Sequence, residues 1–153
     1  MLKVVIDYPK QEEEMRIIRA NLDGTQKRPV LPVMKADEII AARDVVKQVY
    51  VDEKIARYVT DIVFATRQPE KYGMKQIPDF IEFGGSPRAS ISLATAARAY
   101  AFIKRRGYVI PEDVRAVAFD VLRHRIGLSY EAEANNTGAD EIISEILNKV
   151  EVP

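Results

Sequence analysis

The residues of this sequence that are best suited to chemistry stand at the start of a predicted helix, in the run Gly84-Gly85-Ser86-Pro87-Arg88. Ser is a favoured N-cap residue, and Pro is favoured at the first helical position. A free helix N-terminus presents unpaired backbone N–H groups and partial positive charge, which together attract an anion. Arg88 falls in the first turn, where a cation costs about 0.3–1 kcal/mol and a bound anion would offset that cost. An anion site and a plain loop-to-helix junction with a solvated arginine are both open on these grounds, and the residues alone favour the junction.

Other catalytic constellations are missing from the sequence. It contains no Gly-x-x-x-x-Gly-Lys-Ser/Thr P-loop and no Gly-x-Ser-x-Gly nucleophile elbow. It has no cysteine and a single histidine, which excludes thiolate catalysis, zinc–thiolate centres and His-rich metal sites within one chain. That histidine, His124, stands between Arg123 and Arg125 at a basic helix end, so we interpret it as a capping or surface residue. The sequence therefore predicts no metal site and no complete catalytic site in this chain.

The charge balance limits the classes of molecule that this protein is expected to bind. Lys plus Arg and Asp plus Glu both number 23, so the formal net charge is zero, which argues against a general nucleic-acid-binding or membrane-surface protein. The N-terminal apolar run is too short for a signal peptide or a membrane helix, so we predict a cytoplasmic protein without membrane insertion. A basic group in the Ser86 helix lacks a stacking aromatic array, and we interpret it as a solvated face that complements the helix dipole. Its members are Arg98, Lys104, Arg105 and Arg106.

The spacing of apolar residues and the capping residues predict six helices that would position these groups. They are residues 10–22, residues 36–50, a helix that Asp52 caps and that reaches Thr66, the helix that Ser86 and Pro87 begin and that ends near Gly107, a helix that Pro111 opens, and residues 140–150. Residues 23–33 and 68–85 contain Gly and Pro and are predicted loops. The predicted inward-facing residues are Ile39, Val46, Val49, Ile55, Val59, Ile62, Thr66, Leu93, Ala97, Tyr100, Ile103, Val114, Val117, Val121, Leu122, Ile142, Ile143, Ile146, Leu147 and Val150.

One short segment, Leu2 to Ile6, is apolar and β-branched, which is typical of a strand buried in a parallel sheet. Such a strand needs neighbours, and nothing later in the sequence supplies a parallel sheet. The segment ends at Asp7 like a Walker B strand, but Tyr8 follows and no P-loop precedes, so we interpret it as a structural strand end. We therefore predict that residues 1–33 are the remnant of a larger α/β domain with a linker, and that residues 34–153 are an intact helical bundle.

The motifs taken in order resemble one family. Gly84-Gly85-Ser86-Pro87-Arg88-Ala89-Ser90 and the alanine-rich helix after it resemble the sensor-2 helix of MoxR-family AAA+ ATPases, whose pattern is close to Gly-Ala-Ser-Pro-Arg-Ala. Residues 58–63, 65–67, 108–114 and 121–126 resemble the lid of the same family, so the resemblance covers essentially the whole chain. Gly85 stands where the family often has Ala, and Ile110 where it often has a capping Thr. Neither departure changes the arginine.

The resemblance implies a fold and a mechanism. The chain would be mainly α, a helical-bundle AAA+ lid preceded by a strand–helix remnant of the α/β nucleotide-binding core. Such ATPases form rings, commonly hexamers, in which ATP and Mg²⁺ lie between the core and the lid. Arg88 would be the sensor-2 arginine that contacts the γ-phosphate, with Gly85, Ser86 and Pro87 forming the helix start beside it, and it could serve its own subunit or a neighbour. The family is linked to chaperone-like protein remodelling, often with von Willebrand A-domain partners.

Two other interpretations are open at this point. The chain could be a stand-alone helical module that binds a partner protein through its apolar faces, without nucleotide chemistry. Residues 2–6 favour the lid instead, because a free-standing bundle has no use for a buried strand. Nucleic-acid binding through the basic end of the Ser86 helix is the more distant alternative.

We expect the isolated chain to show no magnesium-dependent ATP hydrolysis and at most very weak nucleotide binding, because its sequence has neither a P-loop nor the Walker B acids. A phosphate-release assay on the purified chain with Mg²⁺ and ATP tests this expectation. Hydrolysis that copurifies with the chain through two different columns would contradict it.

Overall fold

A computed structural model of the chain describes residues 1–22 and 29–153. The described part is mainly helical, as predicted, with one small antiparallel sheet. No helix in it is both long and apolar enough to cross a membrane. Most of the predicted loop at residues 23–33 lies outside the described residues. In chain order the helices and strands are α1 (Gln11–Leu22), α2 (Ala36–Gln48), α3 (Glu53–Ala65), two 3₁₀ helices (Pro69–Tyr72 and Ile77–Phe80), β1 (Ile81–Phe83), α4 (Pro87–Ile103), α5 (Pro111–Leu122), β2 (Gly127–Leu128), α6 (Tyr130–Ala134) and α7 (Ala139–Lys149).

All six predicted helices are present, because their signals are local. Asp52 caps α3 as predicted, since its carboxylate accepts a hydrogen bond from the Lys54 N–H at 2.9 Å. The short elements at residues 69–83 and 127–134 were not predicted. They depend on contacts across the chain, such as the hydrogen bond from the Ser129 N–H to the Phe80 carbonyl at 3.0 Å. The Ser129 hydroxyl also donates to the carbonyl of Asp79, at 2.5 Å.

The core lies between α3, α4, α5 and α7. Every predicted inward-facing residue of α3, α5 and α7 is buried, which confirms those three faces. The predictions for α2 and the end of α4 are partly wrong: Ile39 is 45% exposed and Ile103 is 72% exposed. Tyr100 is half-buried. Val49 is the first core residue among those that the structure describes, and neither α1 nor α2 contributes a buried side chain.

The predicted strand at residues 2–6 is not present. Residues 1–10 contain neither helix nor strand, and all of them are exposed, Ile6 by 91%. A strand forms only where a neighbour satisfies its backbone groups, and the described residues supply only scattered hydrogen bonds. The Met1 carbonyl accepts from Arg125 Nη2 at 3.5 Å, and the other contact point is Lys3. There the Lys3 N–H donates to the Asp120 carbonyl at 2.7 Å, and the Lys3 carbonyl accepts from Arg123 Nη1 at 2.8 Å. The division of the chain at residues 33 and 34 stays a prediction.

Arg123 joins three parts of the molecule. Its guanidinium donates to Asp120 on α5 at 2.8 Å and to both carboxylate oxygens of Asp140 on α7 at 2.9 Å. These hydrogen bonds, the one to Asp140 first, raise the pKa of Arg123 above its ordinary value. The same guanidinium holds the N-terminal segment through Lys3. His124 next to it is exposed.

The turn between α4 and α5 is built on a buried carboxylate, Asp113, whose side chain is 1% exposed. Arg106 binds both of its oxygens, with Nη1 at 2.6 Å from Oδ2 and Nη2 on Oδ1. The Ile110 N–H donates to the same carboxylate at 2.9 Å. Arg106 is therefore a structural residue and not part of a freely solvated face, which corrects the prediction for this member of the basic group. Arg105 beside it adopts a left-handed φ of 60°, which the anchored turn holds in place.

We expect Asp113→Asn to lower the free energy of unfolding at pH 7 by about 2 kcal/mol, because the Arg106 pair loses its charge partner. Burial raises the pKa of Asp113, but the hydrogen bonds from Arg106 and Ile110 outweigh it, so the folded pKa is lowered. The stabilisation is thus present above the unfolded pKa and is lost as pH falls through the folded one.

Urea unfolding at pH 7 and pH 3 measures both effects, and the gap between wild type and Asp113→Asn should narrow below about pH 4. Asp44→Asn is the matched control. Asp44 also forms an ion pair, with Lys47 at 2.8 Å, but both side chains are well exposed. We therefore expect almost no change in the free energy of unfolding. A gap that stays constant from pH 7 to pH 3 would contradict the assignment of the effect to the charge of Asp113.

Candidate functional site

The predicted site residues lie together at the start of α4, which begins at Pro87. Ser86 has an extended backbone, with φ of −73° and ψ of 172°, and occupies the N-cap position as predicted. Its hydroxyl makes no capping hydrogen bond, which corrects the prediction that Ser86 caps this helix. The first-turn N–H groups of α4 are therefore left without a side-chain acceptor.

Arg88 is exposed in the first turn of α4. It makes no hydrogen bond or ion pair with any residue that the structure describes. The first turn of α4 contains no acidic residue, whereas each of the other six α-helices in the described part of the chain has at least one. Nothing described on this surface neutralises the positive helix end or the guanidinium. Both are available to an anion that approaches from solvent or from another domain.

The helix start rests on the end of α3 through four residues, Thr66, Arg67, Gly84 and Gly85, which form the α3–α4 junction. The Gly85 N–H donates to the Thr66 hydroxyl at 2.8 Å, and Arg67 Nε donates to the Gly85 carbonyl at 2.5 Å. Thr66 is buried, at 1% exposure. Sequence reasoning placed Thr66 in the core and Arg67 in a family-like segment but gave neither a role at the site. The sequence signal for these two residues was the Ala65-Thr66-Arg67 run. It could not show that Thr66 binds Gly85, which is 19 residues further along the chain.

The two glycines of the junction are required to different degrees. A Cβ on Gly84 would lie 2.4 Å from the Thr66 carbonyl oxygen and 2.7 Å from its carbon, which no rearrangement of a side chain can relieve. A Cβ on Gly85 would meet the Ala89 Cβ at 3.1 Å, a tight contact that a small shift accommodates. Gly84 is therefore needed for a close backbone approach, and the family's frequent Ala at the next position is compatible with this geometry.

A groove of about 240 Å³ opens beside the junction. It is lined by Thr66, Arg67, Pro69, Glu70, Pro78, Ile81, Glu82, Phe83 and Gly84, and Arg88 is outside it. Two acids in its wall disfavour an anion there. No group of three or more His, Asp or Glu residues in residues 1–22 and 29–153 is arranged to hold a metal ion.

Comparison with known proteins defines the class. The family model of the AAA lid domain matches residues 78–146, which include α4, α5, α6 and most of α7. The chain thus carries an AAA lid domain, and the start of α4 with Arg88 lies within it.

The relatives define the branch of that class. The chain is 36% identical to Chaperone MoxR1 of Mycobacterium tuberculosis (strain ATCC 25618 / H37Rv), a match that covers all of the chain and 40% of the relative. It is 33% identical over its full length to the uncharacterized protein YeaC of Bacillus subtilis (strain 168), and it covers 45% of that protein. A crystal structure of a candidate ATPase from Cytophaga hutchinsonii ATCC 33406 superposes with a TM-score of 0.93 at 36% identity, over all of this chain and 46% of that one. The chain carries the AAA lid domain of the MoxR type, and it spans less than half the length of these relatives.

We expect Gly84→Ala to lower the free energy of unfolding of the chain by about 1–3 kcal/mol, because the new methyl group overlaps the Thr66 peptide. Gly85→Ala is the matched control, and its smaller contact is partly offset by the lower entropy of the unfolded chain, worth about 0.4–1 kcal/mol. Urea denaturation of both variants gives the comparison. Equal losses for the two substitutions would contradict the close approach at Gly84.

Proposed function

We propose that this lid reports the state of bound ATP in a MoxR-type ATPase, with Arg88 as its sensor-2 residue. The observation that carries the proposal is the unpaired, exposed guanidinium in a helix start that has no acid and no side-chain cap. A guanidinium suits this task because it is always charged and can bind two phosphate oxygens at once. Gly85 anchors the helix start, Pro87 presets its first φ angle, and the Ser86 hydroxyl is left to bind the ligand.

The residues at the start of α4 would form only part of a binding site for ATP and Mg²⁺. Backbone N–H groups at the start of α4 and the Arg88 side chain would hold phosphate oxygens, while the metal and the remaining phosphates would be bound by an α/β core that carries a P-loop. The bound nucleotide supplies the phosphate whose loss on hydrolysis the lid detects. Arg88 orients that phosphate while it is present and is released when it leaves.

The packing of α4 supports transmission of that signal to the whole lid. Ala89, Leu93 and Ala97 are fully buried against the neighbouring helices, so the first turn cannot move without the rest of the helix. Binding or release of a phosphate at Arg88 therefore moves the lid as a rigid unit. In the assembled ATPase we propose that this motion serves a ring oligomer, with the AAA+ core and the neighbouring subunits as the immediate partners.

Two finer parts of the proposal depend on the family alone. We propose ATP-driven, chaperone-like remodelling of other proteins, because a relative over the full chain is named a chaperone. A von Willebrand A-domain partner belongs to the same proposal. The alternative of a stand-alone interaction module has less support, because the exposed apolar residues of the N-terminal part, among them Val4, Ile17 and Ile18, suit coverage by a core domain.

We expect Arg88→Ala in the full-length ATPase to reduce ATP turnover about ten- to a hundredfold, the equivalent of a charge-assisted hydrogen bond worth about 1.5–3 kcal/mol. The stability of the lid should change by less than about 0.5 kcal/mol, because Arg88 has no partner within the described part of it. Steady-state phosphate release and thermal melting of the same preparations measure the two quantities.

The matched control is Arg57→Ala, which removes an exposed helix arginine 3.8 Å from Glu53 and should leave turnover unchanged. Normal turnover in Arg88→Ala, or a large loss of lid stability with normal turnover, would refute the sensor role.

A further inference from the structure

We propose that Thr66 and Arg67 at the end of α3 are positioning residues that aim Arg88. The inference rests on the proposed role of Arg88 and goes beyond it, because it names the groups that hold the sensor in place. Neither residue needs to touch the nucleotide. Both act on Gly85, three residues before the arginine.

The Thr66 hydroxyl has a fixed polarity. Its one proton is committed to the Val63 carbonyl, at 2.6 Å, within α3. Toward Gly85 it can therefore only accept, and the Gly85 N–H donates to it at 2.8 Å. The Thr66 side chain is buried, at 1% exposure, so water does not compete for this bond. The hydroxyl thus links the last turn of α3 to the residue that precedes the α4 N-cap.

Arg67 completes the hold on the same residue. Its Nε donates to the Gly85 carbonyl at 2.5 Å, so both backbone polar groups of Gly85 are bound by consecutive side chains at the end of α3. The Arg67 guanidinium carbon lies 4.8 Å from the centroid of the Phe64 ring, which holds the side chain along its own helix. Two bonds at opposite edges of one residue restrict its rotation as well as its position.

Little freedom is left between this anchor and the sensor. Ser86 is extended, Pro87 has a fixed φ, and the buried Ala89 ties the first turn of α4 to the core. If the junction opens, Gly85 regains the wide conformational range of glycine, and the helix start can tilt. A displacement of about 1 Å at a positioning group can cost about a hundredfold in rate. The junction therefore sets how well Arg88 reaches a phosphate.

The test is Thr66→Val in the full-length ATPase, since Val has the shape of Thr without the hydroxyl. We expect kcat for ATP to fall about tenfold or more, and Thr66→Ser, which keeps the hydroxyl, to retain most of it. Arg67→Lys keeps the charge but loses the Nε donor, and it should show the same kind of loss. In an Arg88→Ala background, Thr66→Val should lower kcat by less than about twofold further, because no guanidinium is left to aim.

Ile146→Val, in the buried face of α7, is the control for general destabilisation of the lid. It should lower the melting temperature without a change in kcat per folded enzyme. Normal kcat in both Thr66→Val and Arg67→Lys would overturn the inference, as would an undiminished effect of Thr66→Val in the Arg88→Ala background. If Thr66→Val does not fold, Arg67→Lys decides the question, measured alone and in the Arg88→Ala background. If Arg88→Ala alone has normal turnover, the sensor role fails, and this outcome is distinct from a failure of the junction.

Discussion

The close packing of α4 against its neighbours depends on the small side chains of its inner face. Ala89, Ala97 and Ala101 are fully buried, and Leu93 is the one large side chain among them. Small residues let two helix backbones approach, and the interior then has little room for relative movement. Because α4 cannot slide on α3 and α5, whatever is fixed at its first turn has a defined relation to the whole domain. The placement of Arg88, the turn into α5 and the junction with α3 all depend on this packing.

The two ends of α4 are secured by different chemistry. At its start, hydrogen bonds to Gly85 and a backbone approach at Gly84 tie it to α3. At its end, the buried carboxylate of Asp113 binds Arg106 and the Ile110 N–H. This carboxylate lets Ile110 occupy the N-cap position of α5 without a side-chain acceptor of its own. The isoleucine cannot accept a hydrogen bond, but the reciprocal half of the capping box, from the Ile110 N–H to Asp113, is kept.

Arg106 and Arg123 differ from Arg88 in having partners within the domain. Arg106 has two carboxylate or carbonyl partners, Arg123 has three, and both hold segments together. Arg88 has none in the described chain and stands at a helix end that already favours anions. A charge that stabilises nothing in its own domain, in a position where it costs a little stability, is most simply explained by a ligand or by a neighbouring domain. In the proposed function, that ligand is a nucleotide phosphate and that domain is the AAA+ core.

The sequence by itself determined the six longer helices and the position of Arg88, because both depend on signals that lie within a turn or two. Hydrophobic spacing, the Asp52 cap and the prolines at the starts of α4 and α5 are properties of neighbouring residues. The ordered motifs around Arg88 also indicated the family, since such motifs can be recognised in the sequence without knowing which residues are in contact.

Only the tertiary structure decided which groups meet across the chain. Residues 2–6 have the composition of a strand, yet they form none in this chain because strand pairing requires a second backbone that the described residues do not supply. The Ser86 hydroxyl could have capped α4 and does not. The hydroxyl of Thr66, which lies 19 residues before Gly85, accepts the Gly85 N–H. Arg106 could equally have been solvated until folding placed it on Asp113. A side chain offers the same donors and acceptors in every conformation, and its partner is selected by the packing that brings distant segments together.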